Sequence, residues 1–206
     1  MNDSDQYKTI KEQSPPVLFK DKGSKFFGYA FPVSNQDEVK HIIKNLKKEH
    51  HAARHWCYAY RLGVESLIYR VNDDGEPKNS AGQPIYGQIK SADLTNILIV
   101  VVRYFGGTKL GVGGLINAYK TAARESISSA KIITKTLKLS YSLRFNYDLM
   151  NTVMRELKAS KISIIDQQMT DSCTFTIGIR KKDAPHVITK LKNIHGLEIR
   201  KIKLDP

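Results

Sequence analysis

Ile97-Leu98-Ile99-Val100-Val101-Val102-Arg103-Tyr104-Phe105-Gly106-Gly107 decides the fold: six aliphatic residues without a polar interruption, then an arginine, two aromatics and a pair of glycines. An apolar run of this length, closed by turn residues, marks a strand buried on both faces, so this strand is central and something covers it on each side. Glycine recurs at Gly111, Gly113 and Gly114, after which Leu115, Ala118, Ala122 and Ile127 repeat at helical spacing as far as Ala130. The segment therefore reads as a buried strand, a Gly-rich loop over Gly106 to Gly114, and a helix whose small-residue face packs close to the sheet.

Upstream, Val17 to Val33 alternates about Lys22-Gly23-Ser24 and predicts a β-hairpin. Asn35 with Glu38 three residues later is a capping pattern, and Val39, Ile42, Ile43 and Leu46 continue it as a helix to about His50. Two strands, Arg54 to Leu62 and Glu65 to Val71, lead into the polar turn Asn72-Asp73-Asp74-Gly75-Glu76-Pro77, and a short helix fits the residues after the Ser80-Ala81-Gly82 turn. The first domain, residues 1–134, closes near Thr134.

Residues 135–206 alternate more cleanly. Leu137, Leu139, Tyr141, Leu143 and Phe145 face one way and Lys138, Ser140, Ser142 and Arg144 the other, which predicts a strand with one wet face. A helix through Leu149, Met150, Val153, Met154 and Leu157 comes next behind Asn146, then a hairpin from Ile162 to Arg180, a helix behind Asp183 and a last strand from Leu197 to Leu204. The order βαββαβ is that of a ferredoxin-like domain, and the whole chain is α+β.

Composition bounds the function. The 206 residues carry 33 Lys and Arg against 20 Asp and Glu, a formal net charge of +13, of which residues 135–206 hold +7 and residues 1–134 hold +6. Such a surplus attracts polyanions, which makes nucleic acid or a nucleic-acid machine the natural partner class. Cys57 and Cys173 fall in different domains and read as free thiols of a reducing compartment. The polar Met1 to Lys11 has no signal-peptide character and no apolar window is long enough to span a membrane, so the expectation is cytoplasmic with no membrane partner.

Three motifs carry candidate chemistry. Asp73, Asp74 and Glu76 crowd three carboxylates onto one turn; they suit a hard cation or a basic partner, but they lack the ligand spacing of a calcium loop and equally suit a turn that caps its own backbone. His55 and Cys57 share one strand face opposite Trp56, Tyr58 and Tyr60; a zinc site would need further ligands, so a nucleophile pair or a buried structural cysteine are the readings left open. In the third, Arg103, Gly106, Gly107, Lys109, Gly111, Gly113 and Gly114 combine free backbone N–H groups, a helix start and full positive charge, the chemistry of an anion site. The alternative is a sharp turn with close helix approach. Neither phosphate-binding nor dinucleotide fingerprint is matched, so no cofactor and no metal are expected.

His55-x-Cys57-x-Ala59-Tyr60, Asp73-Asp74-Gly75-Glu76-Pro77 with Ser80-Ala81-Gly82-x-Pro84, and Val101-Val102-Arg103-Tyr104-Phe105-Gly106-Gly107 with Leu110-Gly111-x-Gly113-Gly114-Leu115 and Ala118-Tyr119 together resemble the IMPACT (YigZ-like) family in order and spacing. The resemblance covers about residues 15 to 130, and Asn79 and Ser80 stand where many relatives carry Gly and Thr. It implies a first domain like the second domain of a small-subunit ribosomal protein (the uS5 domain 2-like fold), and a second like elongation factor G domains III or V. Eukaryotic relatives regulate translation by binding a partner of a stress kinase. The expectation is a non-enzymatic binding protein of RNA or the ribosome. Two other classes are a hydrolase or transferase of an anionic small molecule at a His55, Asp73, Asp74, Glu76 and Arg103 cleft, and a purely protein-binding regulator.

Overall fold

The computed structural model describes residues 5–202. Its described residues divide into two compact units, Tyr7–Lys135 and a second made of residues 5–6 together with 136–202. The boundary near Thr134 therefore has a correction at the other end of the chain: Asp5 belongs with the second unit. Its carboxylate accepts from Arg180 Nε at 2.6 Å and Nη2 at 3.0 Å, and its carbonyl accepts from the Leu137 N–H at 2.6 Å. A partner 175 residues away gives no local signal.

Strands β1 (Gln6–Ile10) and β7 (Ile132–Thr136) pair with each other. The main sheet of the first unit is antiparallel, built from β2 (Val17–Asp21), β3 (Ser24–Pro32), β4 (His55–Leu62), β5 (Ile68–Asn72) and β6 (Ile97–Tyr104) in the order β2-β3-β6-β4-β5. As its apolar run requires, β6 is central, and Ile97 to Val102 are entirely buried. Leu98, Val100 and Val102 meet Val39 and Leu46 of α1 (Gln36–Glu49) on one face; Ile97, Ile99 and Val101 meet α2 (Gly82–Ser91) and α3 (Gly111–Ser129) on the other. Each such side chain contributes about 1.5–3 kcal/mol by leaving water.

Local signals set the helix ends. Asn35 Oδ1 accepts from the N–H groups of Asp37 and Glu38, while the Glu38 carboxylate reaches back to the N–H and hydroxyl of Ser34 and accepts from the Asn35 side-chain amide at 3.2 Å. The C-cap His50 is buried, its Nε2 2.6 Å from the Tyr29 hydroxyl and its Nδ1 2.9 Å from that of Tyr104. One expectation shifts: α3 begins at Gly111, so Gly111, Gly113 and Gly114 form its first turn and the loop proper is Phe105 to Leu110.

The second unit has β8 (Lys138–Phe145), α4 (Met150–Ala159), β9 (Ile164–Met169), β10 (Cys173–Arg180), α5 (Ala184–Lys192) and β11 (Glu198–Ile202), the βαββαβ order, with strands arranged β11-β8-β10-β9. The last strand was expected to run to Leu204; residues 203 and 204 lie outside the described residues. Leu143, Phe145, Phe175, Ile177 and Ile179 pack on Val153, Leu157, Val187 and Leu191. Register pairs Arg144 with Thr174 and Glu198, and Ser142 with Thr176 and Arg200, so the open face is mostly polar, with Ile165 of β9 exposed on it, and among the described residues its strands hold no aromatic there.

Candidate functional site

Strand register fixes the floor of the site. Arg103 pairs with His55 of β4 and Phe26 of β3, and Cys57 pairs with Val101, so His55, Cys57, Arg103 and Phe26 share the face that α3 covers. The turn after β5 then brings its three carboxylates to that corner of the sheet and sends each in a different direction.

Asp73 works locally. Its Oδ1 accepts from the N–H groups of Ala81 at 3.0 Å and Gly82 at 2.8 Å, and its Oδ2 from Asn79 at 2.9 Å, which starts α2 from outside the helix. Asn79 has φ 63°, the left-handed region that glycine favours. Asp74 turns to the opposite side: Oδ2 accepts from the Trp56 N–H at 2.8 Å and Oδ1 lies 3.5 Å from Lys47 Nζ. Glu76 turns inward, its side chain 4% exposed, and its Oε1 accepts from Arg103 Nη1 at 2.6 Å and the Tyr119 hydroxyl at 2.8 Å, with His55 Nε2 4.0 Å away. His55 Nδ1 donates to the Asp74 carbonyl at 2.9 Å.

This dispersal corrects the cleft expected of His55, Asp73, Asp74, Glu76 and Arg103. A cavity of about 250 Å³ does lie here, lined by Glu76, Pro77 and Arg103 and, from the loop and α3, by Phe105, Lys109 and Val112 among others. His55, Asp73 and Asp74 are not part of its wall. Among the described residues no three His, Cys, Asp or Glu converge as metal ligands.

Cys57 is not placed to be a nucleophile. Its Sγ lies 3.0 Å from the Asp73 carbonyl and 3.3 Å from the Tyr119 hydroxyl, and burial pushes the thiol well above its ordinary value, with Glu76, Asp74 and Asp73 adding to the rise. The reactive form is the thiolate, which this site disfavours. Burial likewise pushes the Tyr119 hydroxyl up.

Arg103 is the second correction. Expected to meet an external anion, it is 5% exposed, tied to Glu76 and flanked by the Phe26 and Phe105 rings at 5.5 and 5.6 Å. Its Nη2 also reaches Ser24 Oγ at 3.5 Å, and its Nε, buried, has no hydrogen-bond partner. Gly106 has a structural reason as well, since a side chain there would collide with the backbone of Gly23 and Ser24. Gly107, at φ 87°, faces open space, and Lys109 is exposed. At the head of α3, Leu110 occupies the N-cap position and offers no side-chain acceptor, so an anion placed there would meet Lys109 and free N–H groups.

Two things lay outside the sequence reading. Tyr119, quoted as a motif residue, is the hinge of the buried network between Cys57 and Glu76. The larger omission is Lys40, Lys44, Lys47 and Lys48, which line a groove of about 520 Å³ between α1 and the β4–β5 edge. Their i, i+4, i+7, i+8 spacing was the available signal.

The Impact N-terminal domain profile matches residues 22–127. YvyE of Bacillus subtilis, named as an IMPACT family member, is 32% identical over 177 residues, 86% of this chain and 81% of its own. YigZ of Escherichia coli, named likewise, is 33% identical over 128 residues, 61% of this chain and 63% of its own. A crystal structure described as a hypothetical protein shares the fold, at 24% identity and a TM-score of 0.72 over 96% of this chain and 98% of that one. By the match over half its length and the identity sustained over most of it, the chain belongs to the IMPACT family.

Proposed function

We propose that this protein is a non-enzymatic binding protein whose partner is RNA or the ribosome, with a role in translation regulation. The observation that carries the reading is the partition of charge. The motif carboxylates turn to backbone N–H groups, Arg103, Tyr119 and Lys47, whereas Lys44, Lys48 and Lys109 stand exposed without an ion pair among the described residues. These exposed lysines are part of the chain's surplus of +13. On the second unit Lys138, Arg144 and Arg200 share the aromatic-free sheet face, which suits phosphate contact and leaves no platform for stacking bases. A partner of this kind places the protein in the cytoplasm; among the described residues no helix is long and apolar enough to cross a membrane.

Purification from lysate with and without ribonuclease, followed by sequencing of bound RNA and mass spectrometry of bound protein, tests the reading. Ribosomal proteins or RNA should co-purify, and their absence from both fractions overturns it. One observation favours the protein-binding alternative: Phe105 and Val112, which line the Glu76–Arg103 cavity, are 44% and 52% exposed and could seat an apolar side chain. A stoichiometric protein partner in the ribonuclease-treated fraction, without ribosomal components, would select it.

A further inference from the structure

We propose that the groove between α1 and the β4–β5 edge is the surface that holds RNA, taking the phosphodiester backbone of a single strand along the lysines of α1. The proposal rests on the RNA-binding reading above and assigns it a place. Lys40, Lys44, Lys47 and Lys48 form one wall; Tyr58 of β4 and Asn72 of β5 stand in the floor. All four lysines are exposed. The steps from Lys40 to Lys44 and from Lys44 to Lys48 each climb about 6 Å along the helix, a repeat comparable to that of successive phosphates on one strand.

The charges are largely free to meet a ligand. Lys40 touches Asp37 at 2.8 Å, but both side chains are mostly exposed, at 75% and 88%, and such a pair is readily exchanged. Lys47 lies 5.0 Å above the Trp56 ring and 3.5 Å from Asp74. Lys44 and Lys48 have no ion pair among the described residues. Asp74 is the one acid in the wall, so the groove carries a net charge of +3 from four lysines against it.

Phosphate fits this wall better than carboxylate does. A planar carboxylate is matched by the two-pronged guanidinium, and the groove contains no arginine; the ammonium is a point charge that meets phosphate oxygens from any direction. Tyr58 and Asn72, whose hydroxyl and amide lie 3.4 Å apart, offer hydrogen-bonding groups and one aromatic ring beside the charge ladder. Contacts of this kind hold a backbone without reading its sequence.

The test uses the full chain and a labelled single-stranded RNA, with affinity followed by fluorescence anisotropy across a salt series. Each lysine–phosphate contact on a single strand contributes about 0.7 to the slope of log affinity against log salt, or about fivefold at 0.1 M. Lys44→Ala with Lys48→Ala should therefore weaken binding about 25-fold at 0.1 M salt and flatten the slope by about 1.4. Lys190→Ala with Lys192→Ala removes the same charge from α5 and should change affinity far less. Asp74→Asn, which keeps an acceptor for the Trp56 N–H, should tighten binding.

Equal losses in the α1 and α5 variants would show that net charge alone matters and overturn the groove, as would competition by polyglutamate as effective as by unlabelled RNA. Wild-type binding that is unaffected by the α1 variant overturns the groove and leaves the RNA reading standing. Failure of the wild type to bind RNA overturns the groove and the RNA-binding reading together, and leaves ribosome binding to the co-purification experiment. Melting temperatures of the two double-lysine variants should match that of the wild type, because every substituted lysine is exposed.

Discussion

Replacing Arg103 by methionine separates a residue that ties the fold from one offered to a ligand. The guanidinium is 5% exposed and its Nη1 lies 2.6 Å from Glu76 Oε1, whose side chain is 4% exposed. Arg103→Met fills similar space between the Phe26 and Phe105 rings but leaves Glu76 with the Tyr119 hydroxyl at 2.8 Å and His55 at 4.0 Å. Removing one partner of a buried pair costs about 3–5 kcal/mol, and the surviving Tyr119 bond places the expectation at the lower end, about 3 kcal/mol. At about 3 °C per kcal/mol for a chain of this length, the melting temperature should fall by about 10 °C. Urea and thermal unfolding followed by circular dichroism measure it. Glu76→Leu combined with Arg103→Met should recover part of the loss, because an apolar pair leaves no uncompensated charge. If Arg103→Met unfolds within about 0.5 kcal/mol of the wild type, the range of an ordinary surface change, while RNA affinity collapses, Arg103 is a ligand contact and the structural reasoning is refuted.

Other consequences are as direct. Asp73→Ala removes the acceptor for the N–H groups of Asn79, Ala81 and Gly82 and should destabilise by about 1–3 kcal/mol, whereas Asp73→Asn, which keeps an oxygen, should cost less; urea midpoints distinguish them. Cys57 and Cys173 are both buried, so neither should react with a thiol reagent at pH 8 in the native protein and both should react in urea; native labelling of Cys57 would contradict its raised thiol. The Arg180 hydrogen bond and charge hold the Asp5 carboxyl below its ordinary value. A lowered carboxylate stabilises above its unfolded value and loses that contribution as pH falls through the folded one. The stability difference between wild type and Asp5→Asn should therefore be full near neutral pH and shrink as acid is added below the ordinary carboxylate range; a difference independent of pH would exclude the ion pair as its source.

How far the sequence could be read depended on whether a residue's partner was close in the chain. Ile97 to Val102 announced a central strand because both faces are covered, and Leu137 to Phe145 announced a one-sided sheet because alternate residues stay wet. The start of α2 was ambiguous because its first N–H groups are satisfied by Asp73, nine residues before Gly82. The start of α3 was placed four residues late, at Leu115, because glycine is a poor helix former and three of the first four residues are glycine. The candidate site divided along the same line. Strand register and the turn after β5 bring Asp73, Glu76, His55, Cys57 and Arg103 to one corner, where the motifs alone offered a cleft of His55, Asp73, Asp74, Glu76 and Arg103 as one alternative and left the role of each residue open. Arg103 at the end of an apolar strand looks the same in sequence whether it faces solvent or a glutamate 27 residues away, and only the burial of both distinguishes a ligand contact from a tie.

The lysines of α1 are the opposite case, because an exposed charge needs no distant partner to define it. Lys40, Lys44, Lys47 and Lys48 follow from the same helical period that identified Val39, Ile42, Ile43 and Leu46 as the buried stripe. The apolar residues at that period pack on the sheet, and the lysines at the same period form the exposed ridge. The two classes should also part under mutation. Residues tied within the motif corner, Arg103 and Asp73, should change stability when replaced, and residues on the α1 ridge should change binding and salt dependence with stability unmoved. A variant of Lys44 or Lys48 that lowered the melting temperature as much as Arg103→Met would contradict the exposure from which the ridge is argued.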